Sequence, residues 1–83
     1  MTRRIGRITH YYDRIGVAVL DLTDELSLGD RVLIRGKSTE FTQLVVSMEI
    51  EHQLVQKAGP GMSVALKVNE PVNKRDAIFL LEE

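Results

Sequence analysis

The sequence contains no cysteine and no tryptophan, and it has only two prolines. Without cysteine the chain has no disulfide, no thiolate zinc ligand and no thiol nucleophile. Aromatic residues make up 5% of the chain, so its core must be aliphatic. No apolar run approaches the ~20 residues that a membrane helix needs, and the first residues lack a signal-peptide pattern. We therefore expect a cytoplasmic protein that does not bind membranes.

The length and charge of the chain restrict its function further. With 83 residues it is expected to form one domain, residues 1–83, without a linker or an internal repeat. A domain of this size buries roughly 60% of the surface of its unfolded chain, which leaves little room for a deep active-site cavity. The net charge of −1 excludes a surface that is basic all over, but it allows a local basic patch.

Apolar and polar residues alternate with a period of two, which is the pattern of half-buried strands. The alternation is clearest in four segments, residues 16–22, 31–35, 43–50 and 62–68. In the third segment Leu44, Val46 and Met48 share one face. Turns that contain glycine or proline separate the segments, and the first and last strands are expected at 5–10 and 77–81.

Short strands with a turn roughly every ten residues predict an all-β sandwich or barrel. Because two open edges would invite aggregation in so small a sheet, we favour a closed or nearly closed barrel. The arginines near the first strand are opposite in sign to Glu82 and Glu83 after the last, which suits pairing of the two ends. Residues 49–58 have one alternative, a helix, since their apolar residues also fit a helical stripe.

Three segments resemble the second domain of translational GTPases such as elongation factor Tu. Residues 26–34 (LSLGDRVLI) are similar to its hydrophobic-x-hydrophobic-Gly-Asp-x-Val segment. Residues 58–64 (AGPGMSV) and 72–78 (VNKRDAI) are similar to its Ala-Gly-Asp-x-Val-Gly-Val and Val-x-x-Gly-Asp-x-Val segments, in the same order. Arg75 stands where that family has a turn glycine.

A second resemblance covers residues 5–19 (IGRITHYYDRIGVAV). This segment looks like the C-terminal barrel of collagenase-like peptidase family proteins, several of which are associated with RNA modification. It also resembles small stand-alone proteins of the translation-factor-like type. Both resemblances imply a small six-stranded barrel of the translation-factor second-domain type, with a binding role and no stated ligand.

The segment from His10 to Arg14 concentrates both tyrosines, Tyr11 and Tyr12, in an expected loop. Aromatic faces stack on bases, and arginine contacts phosphates, so this composition is typical of a nucleic-acid site. The alternative is that the two tyrosines cover one end of the barrel with their polar tips in water.

Arg31, Arg35 and Lys37 follow one another on and just after a strand, where they form either a phosphate-binding stripe or an ordinary solvated exterior. The residues that we predict to bind nucleic acid are His10, Tyr11, Tyr12, Arg14, Arg35 and Lys37.

No catalytic, metal or cofactor site is predicted. Residues 73–76 (NKRD) match the guanine-reading Asn-Lys-x-Asp motif, but the sequence has no phosphate-binding loop, so we expect a polar turn and no bound nucleotide. His52 lies beside Glu49 and Glu51, but a metal site needs at least three converging ligands, and nothing in the sequence suggests convergence, since His10 is remote. A catalytic carboxylate pair needs a cleft that shifts its pKa values, and the sequence shows none, so the chain is not expected to be an enzyme.

Two functions follow as hypotheses. The first is a binding module for transfer or ribosomal RNA, or a part of a translation or RNA-modification complex. The second is a protein–protein adaptor that associates with a larger enzyme. Its contact surface, or a surface for self-association, would use outward apolar residues such as Val17, Val19 and Val45. The oligomeric state is left open.

Overall fold

The structure is a computed structural model that describes residues 2–82, and these residues form strands and turns without a helix. The ten strands are β1 (Thr2–Tyr12), β2 (Val17–Leu22), β3 (Leu26–Ser27), β4 (Arg31–Arg35), β5 (Glu40–Leu44), β6 (Met48–Ile50), β7 (Gln53–Leu54), β8 (Lys57–Ala58), β9 (Ser63–Lys67) and β10 (Ala77–Leu81). The all-β prediction is confirmed. The helical alternative for 49–58 is wrong, because this segment contains strand residues of β6, β7 and β8. Within residues 2–82 no helix is long and apolar enough to cross a membrane.

Eight strands form one antiparallel sheet in the order β5-β4-β10-β1-β2-β9-β6-β7, and β3 pairs with β8 separately. Residues 2–82 thus form ten strands, one of them 11 residues long, where six were expected. The first and last strands are neighbours, as their charges predicted, and Arg3 Nη2 lies 2.8 Å from Glu82 Oε1. Glu83, the other acidic residue of that prediction, lies outside the described residues.

A continuous backbone ladder does not close the sheet, since β5 and β7 are its two outer strands and are not paired with each other. The buried side chain of Gln43 connects β5 to the end of β9 instead. Its Nε2 donates a hydrogen bond to the Lys67 carbonyl at 2.8 Å, and its Oε1 accepts one from the Asn69 N–H at 2.8 Å. Closure into a complete barrel is therefore not shown.

The core is mostly aliphatic, as the composition predicted, but it also contains the ring of Phe41. Alternate residues of β2, β4 and β9 are buried, as predicted. In 43–50, however, Gln43 and Val45 are buried, whereas Leu44 and Val46 are exposed. The chain leaves the β4 ladder after Leu44, and the Val45 backbone bonds to Gly29 and Asp30 instead, so Met48 enters the core out of phase with Leu44. The prediction that Val45 faces outwards is wrong.

Strand β1 begins earlier and ends later than expected, and it contains two bulges. The first lies between Arg4 and Gly6, and the second lies between Ile8 and His10. The second is held by Thr9, whose hydroxyl donates to the Val19 carbonyl at 3.1 Å.

Each bulge inserts one residue, so inward-facing side chains can recur after three residues instead of two. Ile5, Ile8 and Tyr11 follow this spacing and contact the core. Arg4, Arg7, His10 and Tyr12 consequently lie on the outer face.

We expect Gln43→Leu to destabilise the fold by about 3 kcal/mol, because the Lys67 carbonyl and the Asn69 N–H lose their side-chain partner. Urea denaturation followed by circular dichroism measures the loss. Thr42→Val on the exposed face of the same strand is the control and should change stability by less than about 0.5 kcal/mol. Equal stability of the two variants would contradict the bridging role of Gln43.

Candidate functional site

The predicted aromatic segment lies at the end of β1 and in the turn that follows, not wholly in a loop. His10 and Tyr12 face outwards, with their ring centroids 6.3 Å apart. Tyr11 faces the other way and packs against the core, which agrees with the covering role considered for it. Arg14 is exposed in the turn between β1 and β2.

The predicted basic residues lie on a different part of the same sheet. Arg35 ends β4, and its Nε lies 3.2 Å from Glu40 Oε1 on β5. Lys37 is exposed in the turn that follows. Since β10 lies between β4 and β1, the structure does not join these residues to His10 and Tyr12 in one cluster.

A larger basic surface is formed by the outer face of β1, β10 and β4. The cross-strand rows are Arg7–Ala77–Arg35, Arg4–Phe79–Leu33 and Thr2–Leu81–Arg31. Residues directly opposite each other point to the same side, so four arginines surround the half-buried ring of Phe79. We call this surface, comprising Arg4, Arg7, Arg31, Arg35, Leu33 and Phe79, the arginine face.

Most of the charge on the arginine face is not neutralised. Arg35 pairs with Glu40, and Arg7 lies opposite Asp21, whose carboxylate also accepts a hydrogen bond from Ser63 Oγ at 2.6 Å. Among residues 2–82 the structure records no ion pair for Arg4, Arg7 or Arg31. Their guanidinium groups are therefore available to bind anions.

Two turns extend the basic surface beyond the ends of β4 and β10. Asn73 Nδ2 donates to Ser38 Oγ at 3.2 Å and to Thr39 Oγ1 at 3.1 Å, which joins the turn containing Lys37 to the turn containing Lys74. Both lysines are exposed. The sequence analysis missed this arrangement, because Lys37 and Lys74 are distant in the chain.

The Asn-Lys-x-Asp segment is a structural turn, as predicted. The buried Asp76 carboxylate accepts a hydrogen bond from the Asn73 N–H at 2.9 Å. Gly36 packs so closely on Asp76 that an added Cβ would collide with Oδ1 of that carboxylate. Arg75 has a φ of 79°, a left-handed conformation that usually favours glycine, the residue of the resembling family at this place. The carboxylate is thus occupied within the fold.

A second surface lies between the β1–β2 and β6–β7 hairpins, and we call it the hairpin groove. It has a volume of about 670 Å³. Its lining is mainly apolar, with a few charged or polar residues at the rim: Tyr12, Ile15, Val17, Val19, Ala65, Ser47, Glu49, His52 and Lys67. Val17 and Val19 face outwards here, as the sequence predicted.

His52 belongs to the β6–β7 turn, where Glu51 and His52 have φ values of 51° and 66°. Two consecutive positive φ values are typical of a tight hairpin turn, and this turn places the His52 side chain beside the groove. Among the described residues there is no group of three or more histidine, cysteine or acidic side chains that could hold a metal ion.

Sequence comparison finds relatives that are much longer than this chain, although no protein-family model matches. An uncharacterised protease of Methanocaldococcus jannaschii is 40% identical over 80 residues, which cover 95% of this chain and 20% of that protein. A collagenase of Porphyromonas gingivalis is 31% identical over 81 residues, covering 95% of this chain and 22% of the collagenase. The chain spans about a fifth of the length of these relatives.

Solved structures show the same fold. The C-terminal domain of a protein described as a U32 peptidase of Geobacillus thermoleovorans superposes with a TM-score of 0.90 at 22% identity, over 96% of this chain and 93% of that domain. Its selenomethionine form gives a TM-score of 0.87 at 23% identity, over 92% of this chain and 96% of that one.

The homologues are C-terminal domains of U32 peptidase and collagenase proteins. This agrees with the resemblance of residues 5–19 to collagenase-like peptidase proteins. The resemblance to translation factors stays a prediction.

The two tyrosines should respond differently to substitution. Tyr11→Ala removes a ring that packs on the core, and we expect a loss of about 2 kcal/mol of folding stability. Tyr12→Ala removes a ring that is 52% exposed, and the loss should stay below about 0.5 kcal/mol. Thermal and urea denaturation at low micromolar concentration measures both. A larger loss for Tyr12→Ala would show that the two orientations are assigned wrongly.

Proposed function

We propose that this chain is a non-catalytic RNA-binding module of the kind that forms the C-terminal domain of U32 peptidase-like proteins, and that the arginine face binds the RNA. The observation that supports this most is the ring of four arginines around Phe79 on three adjacent strands. We also propose that the sheet is a barrel of the translation-factor second-domain type, bridged by Gln43, and that the module works in the cytoplasm.

The geometry of the arginine face suits an extended polyanion. Neighbouring strands lie about 4.8 Å apart, and alternate residues of one strand lie nearly 7 Å apart, so the guanidinium groups can contact successive phosphates. Phe79 lies in the middle row between Arg4 and Leu33, where a base can stack on its partly exposed ring. Arginine serves both purposes, because its planar fork binds phosphate and stacks on bases.

The residues predicted from the sequence do not form one cluster, but most of them lie beside the arginine face at the ends of β1 and β4. On β1, His10 and Tyr12 continue the outer face beyond Arg7, towards Arg14 in the turn. Lys37 extends it at the end of β4. Tyr11, which the sequence also predicted to bind nucleic acid, is not part of the proposed RNA surface, because its side chain packs against the core.

A binding role without catalysis also fits the exposed polar pairs. The Ser63 hydroxyl donates to the Asp21 carboxylate at 2.6 Å on the open surface of the sheet. A serine nucleophile needs an adjacent general base that is itself oriented by a third group, usually in a site that excludes water. Ser63 bonds directly to an exposed carboxylate opposite Arg7, so this pair is better explained as cross-strand stabilisation.

RNA binding is tested by titrating labelled transfer RNA and a single-stranded RNA oligonucleotide at roughly 50 and 200 mM salt. We expect saturable binding whose affinity falls as salt rises, because phosphate contacts release counterions. The double variant Arg4→Gln/Arg7→Gln should bind roughly tenfold or more weakly and show a shallower salt dependence. Lys57→Gln, at an exposed position of β8 away from the arginine face, is the single-charge control and should bind like the unmodified chain.

Two outcomes would overturn the RNA proposal. One is the absence of saturable binding at the lower salt concentration. The other is an equal loss for Lys57→Gln and the double arginine variant, since that would indicate a general charge effect.

A second candidate function is the adaptor that associates with a larger enzyme. It is favoured by the length of the relatives, in which a segment similar to this chain is about a fifth of the protein.

For the adaptor we expect that a tagged chain, purified from extract after nuclease digestion, retains a U32 peptidase-like protein in equimolar amount. The nuclease removes any partner that is held only through RNA. Recovery of the chain alone at physiological salt would exclude this candidate.

A further inference from the structure

The hairpin groove contains none of the six residues that define the arginine face, and Tyr12 lies at the border between the two surfaces. Its floor is formed by Val17 and Val19 on β2 and by Ala65 on β9, all on the outer side of the sheet. Val19 lies directly opposite Ala65, so the apolar floor is continuous across the two strands. These three side chains form an outward apolar floor that a hydrophobic side chain can contact.

One wall of the groove carries unusually exposed apolar side chains. Ile15 is 64% exposed and lies in the tight turn that joins β1 and β2. Tyr12, beside it, is 52% exposed. The same chain therefore presents a protruding isoleucine and, next to it, an apolar concavity of about 670 Å³. A protruding apolar side chain and an apolar concavity can fit each other when two such surfaces meet.

The charges at the groove are arranged so that the groove is complementary to a copy of itself. Lys67 lies opposite Val17, and Glu49 lies opposite Ala65, so the two charges occupy adjacent rows of the sheet on neighbouring strands. Neither forms a recorded ion pair among residues 2–82. A two-fold axis that passes between them brings Lys67 of one copy to Glu49 of the other, and the reverse pair forms at the same time. The groove is thus complementary to itself in charge as well as in shape.

We propose that the hairpin groove binds the hairpin groove of a second copy of this chain, which gives a two-fold symmetric dimer. Ile15 of each copy enters the groove of the other, and two reciprocal Lys67–Glu49 pairs flank the apolar contact. The dimer leaves both arginine faces exposed, so it does not depend on the RNA proposal, and either can fail without the other.

Sedimentation equilibrium of the full chain from ~1 µM to ~1 mM tests the dimer. We expect a concentration-dependent monomer–dimer equilibrium. Ile15→Asp should raise the dimer dissociation constant at least about a hundredfold, because each dimer loses two apolar insertions. Val46→Asp is the matched control, since Val46 is 65% exposed and lies outside the groove, and it should leave the equilibrium unchanged.

Charge reversal separates a reciprocal interface from general stickiness. Lys67→Glu and Glu49→Lys should each weaken the homodimer, because both cross-pairs then carry like charges. An equimolar mixture of the two variants should form a heterodimer, since both cross-pairs become opposite in sign.

Three results would overturn the dimer: a monomer throughout the concentration range, equal effects of Ile15→Asp and Val46→Asp, or a mixture that associates no better than its components. Circular dichroism spectra of the variants verify that each is folded.

Discussion

The two bulges of β1 are the constraint that decides which of its side chains face outwards, both on the arginine face and beside the hairpin groove. In a regular strand, residues three apart point to opposite faces, so Ile5, Ile8 and Tyr11 could not all contact the core. One extra residue after Arg4 and another after Ile8 shift the alternation of the strand, so that all three apolar side chains can point inwards. Because the three apolar residues must be buried, Arg4 and Arg7 are both directed outwards. The burial of the core thereby selects the residues of β1 that lie on the outer surface.

Side-chain hydrogen bonds connect parts of the fold that the backbone ladders do not join. Gln43 connects β5 to the end of β9, and Asp76 and Asn73 hold the turns at the ends of β4 and β10 together. A buried amide or carboxylate that satisfies several backbone groups is costly to replace, because its partners would lose their hydrogen bonds. The backbone ladders of β1, β10 and β4 set the spacing of the arginine face, while the polar contacts hold β5 and the two turns that border it.

The near-neutral net charge conceals a local cluster of basic side chains. They lie on the outer face of β1, β10 and β4 and in the two turns beside it, and the carboxylates of Asp21 and Glu40 border this cluster on the neighbouring strands. The hairpin groove lies between the β1–β2 and β6–β7 hairpins and combines an apolar floor with one charge of each sign. One small sheet therefore presents a basic surface and an apolar groove on different strands, with Tyr12 between the two.

The sequence by itself determined the all-β class, the alternation of β2, β4 and β9, the exact extent of β10 and the polar turn at 73–76. It also indicated the resemblance to collagenase-like peptidase proteins. These features are local, since a period of two or a turn signal is contained within a few residues. Only the tertiary structure decided that Gln43 is buried and that Arg7 and Arg35 share one row across Ala77. Register and bulges depend on hydrogen bonds between residues far apart in sequence, which a local pattern does not specify.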